Sequence, residues 1–271
     1  MILKIIGSSS AGNSYILQAN NGQSLILDCG INNKTIQKQL NWNIIDCAGC
    51  LITHEHGDHI GPKGSFVQQM LKTCVPVYAS AGTIKAIKDM DVRGFWEPKP
   101  IERMKVYHMK DFKVMAFGVN HDAAEPFAYL IDHPESGRIL FATDTAFMVK
   151  TTDEFGKEKW TFDPPVIPGL TNIMIECNYD ENVLERNFEN QLITPDQYWR
   201  VKKNHMSLMK CAAFLKANDL TNVVNIVLLH LSPRNANPDE MAKVIEAETH
   251  HMGKVTVALP GKEIKFNNTP F

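Results

Sequence analysis

No stretch of this 271-residue chain approaches the roughly 18 consecutive apolar residues that a membrane-spanning helix needs. An integral helical membrane protein is therefore excluded. The opening run Met1-Ile2-Leu3-Lys4-Ile5-Ile6 passes at once into a Gly/Ser turn. It lacks the long apolar region and the cleavage site of a secretory signal. A dominant charge is lacking too, since the net charge is −2. Nucleic acid would feel no global attraction, so any such contact must use a local basic patch. Repeats of solenoid period and low-complexity linkers are absent. Cysteine is scarce: Cys29, Cys47, Cys50, Cys74, Cys177 and Cys211. Cys47 and Cys50 form a CxxC spacing, but no second such pair completes a zinc site, and Cys50 enters an apolar run. The pair reads as structural. Scattered cysteines predict reduced thiols and a cytoplasmic protein. With no divider and 44% hydrophobic residues, the chain predicts a single domain over 1–271.

What the chain does have is Thr53-His54-Glu55-His56-Gly57-Asp58-His59. Three imidazoles and the Asp58 carboxylate fall within six residues. Imidazole nitrogen and carboxylate oxygen are the ligands that Zn²⁺ and similar divalent ions prefer. The apolar Cys50-Leu51-Ile52 precedes the run and Ile60-Gly61-Pro62 follows as a turn. The ligands are thus predicted on a loop at the end of a buried strand.

Around this run the pattern predicts strands at 1–6, 14–19 and 24–28, a helix near 33–40, and helices at 63–71 and 81–88 about a strand at 76–79. Strands return near 105–108, 112–119, 127–132 and 138–142, then at 173–176. Helices are predicted at 182–189, 208–217 and 238–250, the last capped by Asn237. Strands at 255–259 and 264–266 end the reading. Such an order suits two sheets flanked by helices. The segment 146–171 reads as an inserted loop or lid.

The HxHxDH run resembles the signature of the metallo-β-lactamase superfamily of metal-dependent hydrolases. That resemblance implies later ligands in the order His, Asp, His, each at or after a strand end. His121 follows Val114–Asn120, Asp144 follows Arg138–Thr143, and His230 follows Val223–Leu229. It also implies an α+β, four-layer αββα fold, with two mixed β-sheets between helices and the metal site at one edge. It assigns one ion to His54, His56 and His121, and a second to Asp58, His59 and His230. Asp144 and a hydroxide are shared between the ions. Two divalent ions are implied, Zn²⁺ or Mn²⁺. Asp28 matches the superfamily's early Asp, which buttresses the histidine loop.

Within the superfamily, Ser8-Ser9-Ser10-Ala11-Gly12-Asn13-Ser14 resembles the SSSxGNS start of the YycJ/WalJ-type subfamily. Turn chemistry alone also accounts for such a composition. Glu176-Cys177-Asn178-Tyr179-Asp180 resembles the subfamily's E-x-N-Y-D segment. His205-Met206-Ser207-Leu208 and His230-Leu231-Ser232 resemble its paired HLS segments, with Met206 in place of Leu. The related ribonuclease Z group implies that His205 protonates a leaving oxygen, with Glu176 orienting it. The alternative reading of His205 is a cap on the helix after it. Asp58, His205 and Glu176 are thus the candidate catalytic residues, and Ser232, Arg234 and Asn235 candidate phosphate contacts.

The function implied is a metal-dependent phosphodiesterase or nuclease, acting like a DNA exonuclease. The alternative is a cyclic-nucleotide or other small-molecule phosphodiesterase of the same fold. Nucleic acid, most of all DNA, or a small phosphodiester is the expected substrate. A polynucleotide enzyme needs a basic track to the metals, for which Lys63, Lys72, Lys85 and Lys88 are candidates.

Overall fold

The computed structural model describes residues 1–152 and 158–268. The first half of the chain forms β1 (Ile2–Ser9), β2 (Gly12–Gln18), β3 (Ser24–Leu27), α1 (Asn33–Gln39), β4 (Cys47–Leu51), α2 (Gly57–Ile60), α3 (Ser65–Met70), β5 (Val77–Ala79), α4 (Ala81–Asp89) and β6 (Lys99–Pro100). Next come β7 (Val106–Met109), β8 (Phe112–Gly118), β9 (Phe127–His133), β10 (Gly137–Ala142), β11 (Met148–Thr152) and β12 (Glu158–Phe162). The chain continues with β13 (Leu170–Glu176), α5 (Glu181–Glu189), α6 (Pro195–Asn204), α7 (Leu208–Ala217), β14 (Asn225–Leu229), α8 (Pro238–Glu248), β15 (Lys254–Val257) and β16 (Glu263–Lys265).

The first sheet has the order β16-β1-β2-β3-β4-β5-β6 and the second β15-β14-β13-β10-β9-β8-β7. Both are mixed. Side chains alternate as a strand's two-residue period requires. In β3, Leu25 and Leu27 join the cluster between the sheets, while Ile26 packs with Ile36, Val67 and Ile87 under α1, α3 and α4. In β13, Met174 faces the same central cluster, while Ile173 and Ile175 pack with Phe214, Leu215 and Ile245 of α7 and α8. Three apolar layers therefore separate four structural layers, which is the αββα sandwich. Full burial of each such aliphatic or aromatic side chain contributes about 1.5–3 kcal/mol. These layers, not the exposed ion pairs, hold the platform rigid.

Two local expectations change. The HxHxDH run is not a plain loop, because its second half winds into the single turn of α2. Gly61, with φ of 82°, ends that turn. Within 146–171, the predicted loop or lid, β11 and β12 pair as an antiparallel ribbon rich in β-branched residues. Residues 153–157 of that segment lie outside the described residues. One helix, α6, was not expected at all. Its start carries a capping box, Thr194 with Gln197, and Pro195 at the first helical position. That signal was present in Thr194-Pro195-Asp196-Gln197. No helix among the described residues is long and apolar enough to cross a membrane.

Candidate metal centre

Strand direction brings the site together. In the first sheet β1 and β4 point the same way, as do β8, β10, β13 and β14 in the second. The C-terminal ends of these strands share one edge of the sandwich. They deliver Ser8, His54, His121, Asp144, Glu176 and His230. Bonds between the sheets lock that edge. The His230 N–H donates to Ser8 Oγ at 3.0 Å, and the Tyr129 hydroxyl donates to the Ile52 carbonyl at 2.6 Å. Gly30 lets the first sheet close on α2: a Cβ there would lie 1.7 Å from the Asp58 carbonyl oxygen.

Asp28, Asp144 and His230 all adopt left-handed backbone, with φ of 55°, 50° and 54°. Asp and His tolerate that region better than most residues, yet it costs on the order of 1–3 kcal/mol each. Such strain persists only where the surroundings over-determine it. Here all three side chains are buried and bonded.

The donors form two adjoining sets. His54, His56 and His121 make one, and Asp58, His59, Asp144 and His230 the other. A third, overlapping cluster joins Asp144 and His230 to Glu176 and His205. In the first set, His54 Nε2 and His121 Nε2 each lie 3.1 Å from His56 Nδ1. A tetrahedral ion with Zn–N bonds of about 2.0–2.1 Å separates its nitrogens by roughly 3.3 Å. The spacing therefore fits a divalent ion. In the second set, His59 Nε2 is 2.9 Å from Asp144 Oδ2 and 3.4 Å from Asp58 Oδ2, and His230 Nε2 is 3.5 Å from Asp144 Oδ1. Two imidazoles with two carboxylates are again a divalent donor set.

The nitrogens of His59, His121 and His230 that turn away from the donor sets are occupied, which fixes the tautomer of each of these rings. His59 Nδ1–H donates to Asp28 Oδ2 at 2.8 Å, and Asp28 also accepts from the Thr53 N–H at 2.8 Å. His121 Nδ1–H donates to the Asn204 carbonyl at 3.3 Å. His230 Nδ1–H donates to Asn13 Oδ1 at 3.1 Å. Burial, reinforced by His59, holds the His54 imidazole well below its usual range, and burial pushes His121 down to about 4. Against the cost of burial, His230 and His59 hold the Asp144 carboxyl well below the usual carboxylate range. The neutral His54 and His121 imidazoles and the ionised Asp144 carboxylate are the forms that bind metal. At His59 burial disfavours the imidazolium, but the Asp28 and Asp144 carboxylates outweigh that cost and hold the imidazole well above its usual range, so an ion there must displace a proton.

Sequence reasoning missed Asn13. Besides its bond to His230, its Nδ2 donates to Asp58 Oδ2 at 3.1 Å and lies 3.1 Å from His59 Nε2. The GNS string carried that signal, though turn chemistry also explained it. Asn178 was missed as well; its Nδ2 donates to the His230 carbonyl at 2.7 Å.

His205 ends α6, while Ser207 caps α7. Its ring stacks on His230, with centroids 5.5 Å apart and planes 9° apart. Its Nδ1 meets Glu176 Oε1 at 2.6 Å. Glu176 is fully buried, and its other oxygen accepts from the Thr145 N–H at 2.7 Å. Burial disfavours the imidazolium, but the Glu176 carboxylate outweighs it and pushes His205 up to about 9.

The cleft over these groups holds about 320 Å³. A larger hollow of about 520 Å³ beside Arg138 includes Asp111, Asp132 and His133 in its lining, but among the described residues these do not converge as a donor set. Ser10, Gln197, Arg200 and Val201 complete the lining of the cleft. Ser232, Arg234 and Asn235 are not part of that lining. The Ser232 hydroxyl accepts from the Asn235 N–H, and Asn235 Oδ1 accepts from Asn187 Nδ2. Lys63, Lys72, Lys85 and Lys88 are not part of it either, and Lys88 pairs with Glu97 at 2.8 Å.

A family model described as anti-Pycsar protein Apyc1 matches residues 3–74. Exodeoxyribonuclease YycJ of Bacillus anthracis is 30% identical over 251 residues, covering 89% of this chain and 85% of that protein. Exodeoxyribonuclease WalJ of Streptococcus pneumoniae is 26% identical over 209 residues, covering 75% and 69%. Among solved structures, the metallo-β-lactamase fold protein YhfI from Bacillus subtilis superposes with a TM-score of 0.65 at 17% identity, covering 97% of this chain and 99% of that one. The short form of human tRNase Z superposes with a TM-score of 0.60 at 14% identity, covering 98% and 99%. At these identities the two structures establish the fold alone. The match to YycJ, over most of both chains, goes further: the chain belongs to the YycJ/WalJ family of metal-dependent hydrolases within the metallo-β-lactamase superfamily.

Proposed function

We propose that the protein is a two-metal phosphodiesterase that hydrolyses DNA from an end. The observation that carries this reading is the His205–Glu176 pair, set against two convergent donor sets in one cleft. The family relationship supports it, since the relatives are named exodeoxyribonucleases.

His54, His56 and His121 would hold one ion, and Asp58, His59 and His230 the other, with Asp144 shared between them. Zn²⁺ suits the imidazole-rich sets, and Mn²⁺ suits the carboxylates. When bound, such a pair supplies a nucleophile at neutral pH and offsets the charge that builds on an attacked phosphorus. The remaining work falls to the chain. Asp28, Asn13 and Thr53 hold the donor rings in their working tautomers. Glu176 anchors His205 Nδ1, which leaves Nε2 without a protein partner among the described residues. Asp58 Oδ2, bonded to Asn13 and facing His59, helps to orient the reacting groups. A protonated His205 gives its Nε2 proton to the departing sugar oxygen, which is a poor leaving group as an alkoxide. Burial pushes the Glu176 carboxyl up, but His205 itself and the Thr145 N–H favour its ionised form, which supports a proton on the imidazole side of the 2.6 Å contact. The six cysteines are free thiols, which supports action in a reducing cytoplasm.

The cleft's volume of about 320 Å³ favours a second reading, in which the substrate is a cyclic nucleotide or other small phosphodiester. A panel of single- and double-stranded DNA, RNA and cyclic nucleotides decides, with Zn²⁺ and Mn²⁺ supplied in turn and a chelated control. Metal-dependent release of nucleotides from DNA ends is expected. Turnover of cyclic nucleotides with none of DNA would replace the first reading by the second.

A further inference from the structure

One charge in the cleft takes no part in the chemistry above. Among the described residues lining the cleft, Arg200 is the only lysine or arginine. It projects from α6 one helical turn beyond Gln197, another lining residue. Its side chain is 65% exposed. The nearest counter-charge is Asp122 Oδ2, 3.7 Å from Arg200 Nε. That is too long for a hydrogen bond. The guanidinium donors therefore have no hydrogen-bond acceptor among the described residues, and Asp122 tethers them by charge alone. On its other side, Asp122 Oδ1 lies 3.3 Å from His121 Nε2, the nitrogen that faces His56. One carboxylate thus separates Arg200 from the first donor set.

We propose that Arg200 grips the phosphate next to the scissile one in a DNA strand, and that Asp122 parks the guanidinium until that phosphate arrives. The proposal rests on the nuclease reading. A scissile phosphate sits against the donor sets, where bound ions offset its charge. The next phosphate along the strand has no ion to meet it, and Arg200 is the cation that the described lining of the cleft offers. A guanidinium presents a planar fork of N–H donors that matches two phosphate oxygens at once. Binding exchanges a loose 3.7 Å ion pair for a two-pronged one and returns Asp122, already 40% exposed, to solvent. A substrate with a single phosphate gains nothing from the exchange. Arg200 is therefore a residue that selects polynucleotides.

The test compares kinetics on a single-stranded oligodeoxynucleotide and on bis(p-nitrophenyl) phosphate, with metal content measured for every variant. For Arg200→Ala, KM on the oligonucleotide is expected to rise about tenfold to a hundredfold, the range for a charge-assisted contact. The kcat should change far less, and KM for the small ester should rise at least tenfold less. The slope of log affinity against log salt should fall by about 0.7, the value for one phosphate contact on a single strand. Arg200→Lys should recover part of the loss. Asp122→Asn should lower KM on the oligonucleotide, because it frees the guanidinium. A parent KM and salt slope in Arg200→Ala would overturn the proposal while leaving the nuclease reading intact. So would an Asp122→Asn variant that keeps its metals yet raises KM as Arg200→Ala does, since the pair would then be a structural strut. A parent that neither cleaves nor binds the oligonucleotide, yet hydrolyses the small ester, overturns both readings.

Discussion

His59 Nδ1 and Asp28 Oδ2 meet at 2.8 Å with both side chains wholly out of solvent. The contact points His59 Nε2 at Asp58 and Asp144. Asp28→Asn removes the charge behind the ring. Affinity for the ion at the second donor set is expected to fall about 10- to 100-fold, the usual cost of losing such a partner. The ion at His54, His56 and His121 should stay. Chelator competition measures both, and parent affinity at both sites would show that Asp28 only braces the turn.

In the proposed centre Asp144 serves both ions. Asp144→Ala should lose most activity and weaken both metals, although the imidazoles its oxygens approach are His59 at 2.9 Å and His230 and His205 at 3.5 Å, none of them in the first set. A variant that loses only one ion would make Asp144 a terminal ligand. One that holds both as tightly as the parent would remove it from the centre.

Protein purified without chelator should carry two divalent ions per chain by elemental analysis. Stripping them should lower the unfolding temperature, because the ions bind only the folded arrangement. One tight ion and no second, even under metal excess, would sink the two-metal reading.

His205→Ala should keep the fold and both metals yet lower turnover of DNA by about 10²–10⁴. On bis(p-nitrophenyl) phosphate the loss should shrink, since p-nitrophenolate departs without a proton. Equal losses on both substrates would mean that His205 stabilises the bound state and donates no proton. Loss of an ion would place His205 among the ligands.

The sandwich was legible in the sequence because its strands are short, apolar and set off by turns. β14 illustrates this: it has parallel neighbours on both sides, every residue is buried, and it reads as one apolar run. The HxHxDH run was legible because its donors are local. Asn13 and Ser8 were not, since their partner His230 lies 217 and 222 positions away. No spacing rule spans that distance. The helix α6 was missed for another reason. Its apolar content is low, with Tyr198 and Val201 supplying its packed face, so the cap was its clearest announcement. Arg200, the cation in the cleft, was missed with it, while lysines elsewhere drew notice by number alone.

The order of the donors along the chain sets an order of assembly during synthesis. His54, His56 and His121 are all present once β8 and the turn after it have emerged. The other set waits for His230, which follows β14, and for the closure that joins residue 230 to residue 8. Contacts so distant in sequence form late and slowly. A growing chain can therefore offer a three-histidine site long before it offers a hydrolytic one. The three-histidine set itself spans both sheets, since His54 and His56 follow β4 and His121 follows β8. It needs only the first strands of the second sheet to dock, whereas the hydrolytic centre waits further for residue 230.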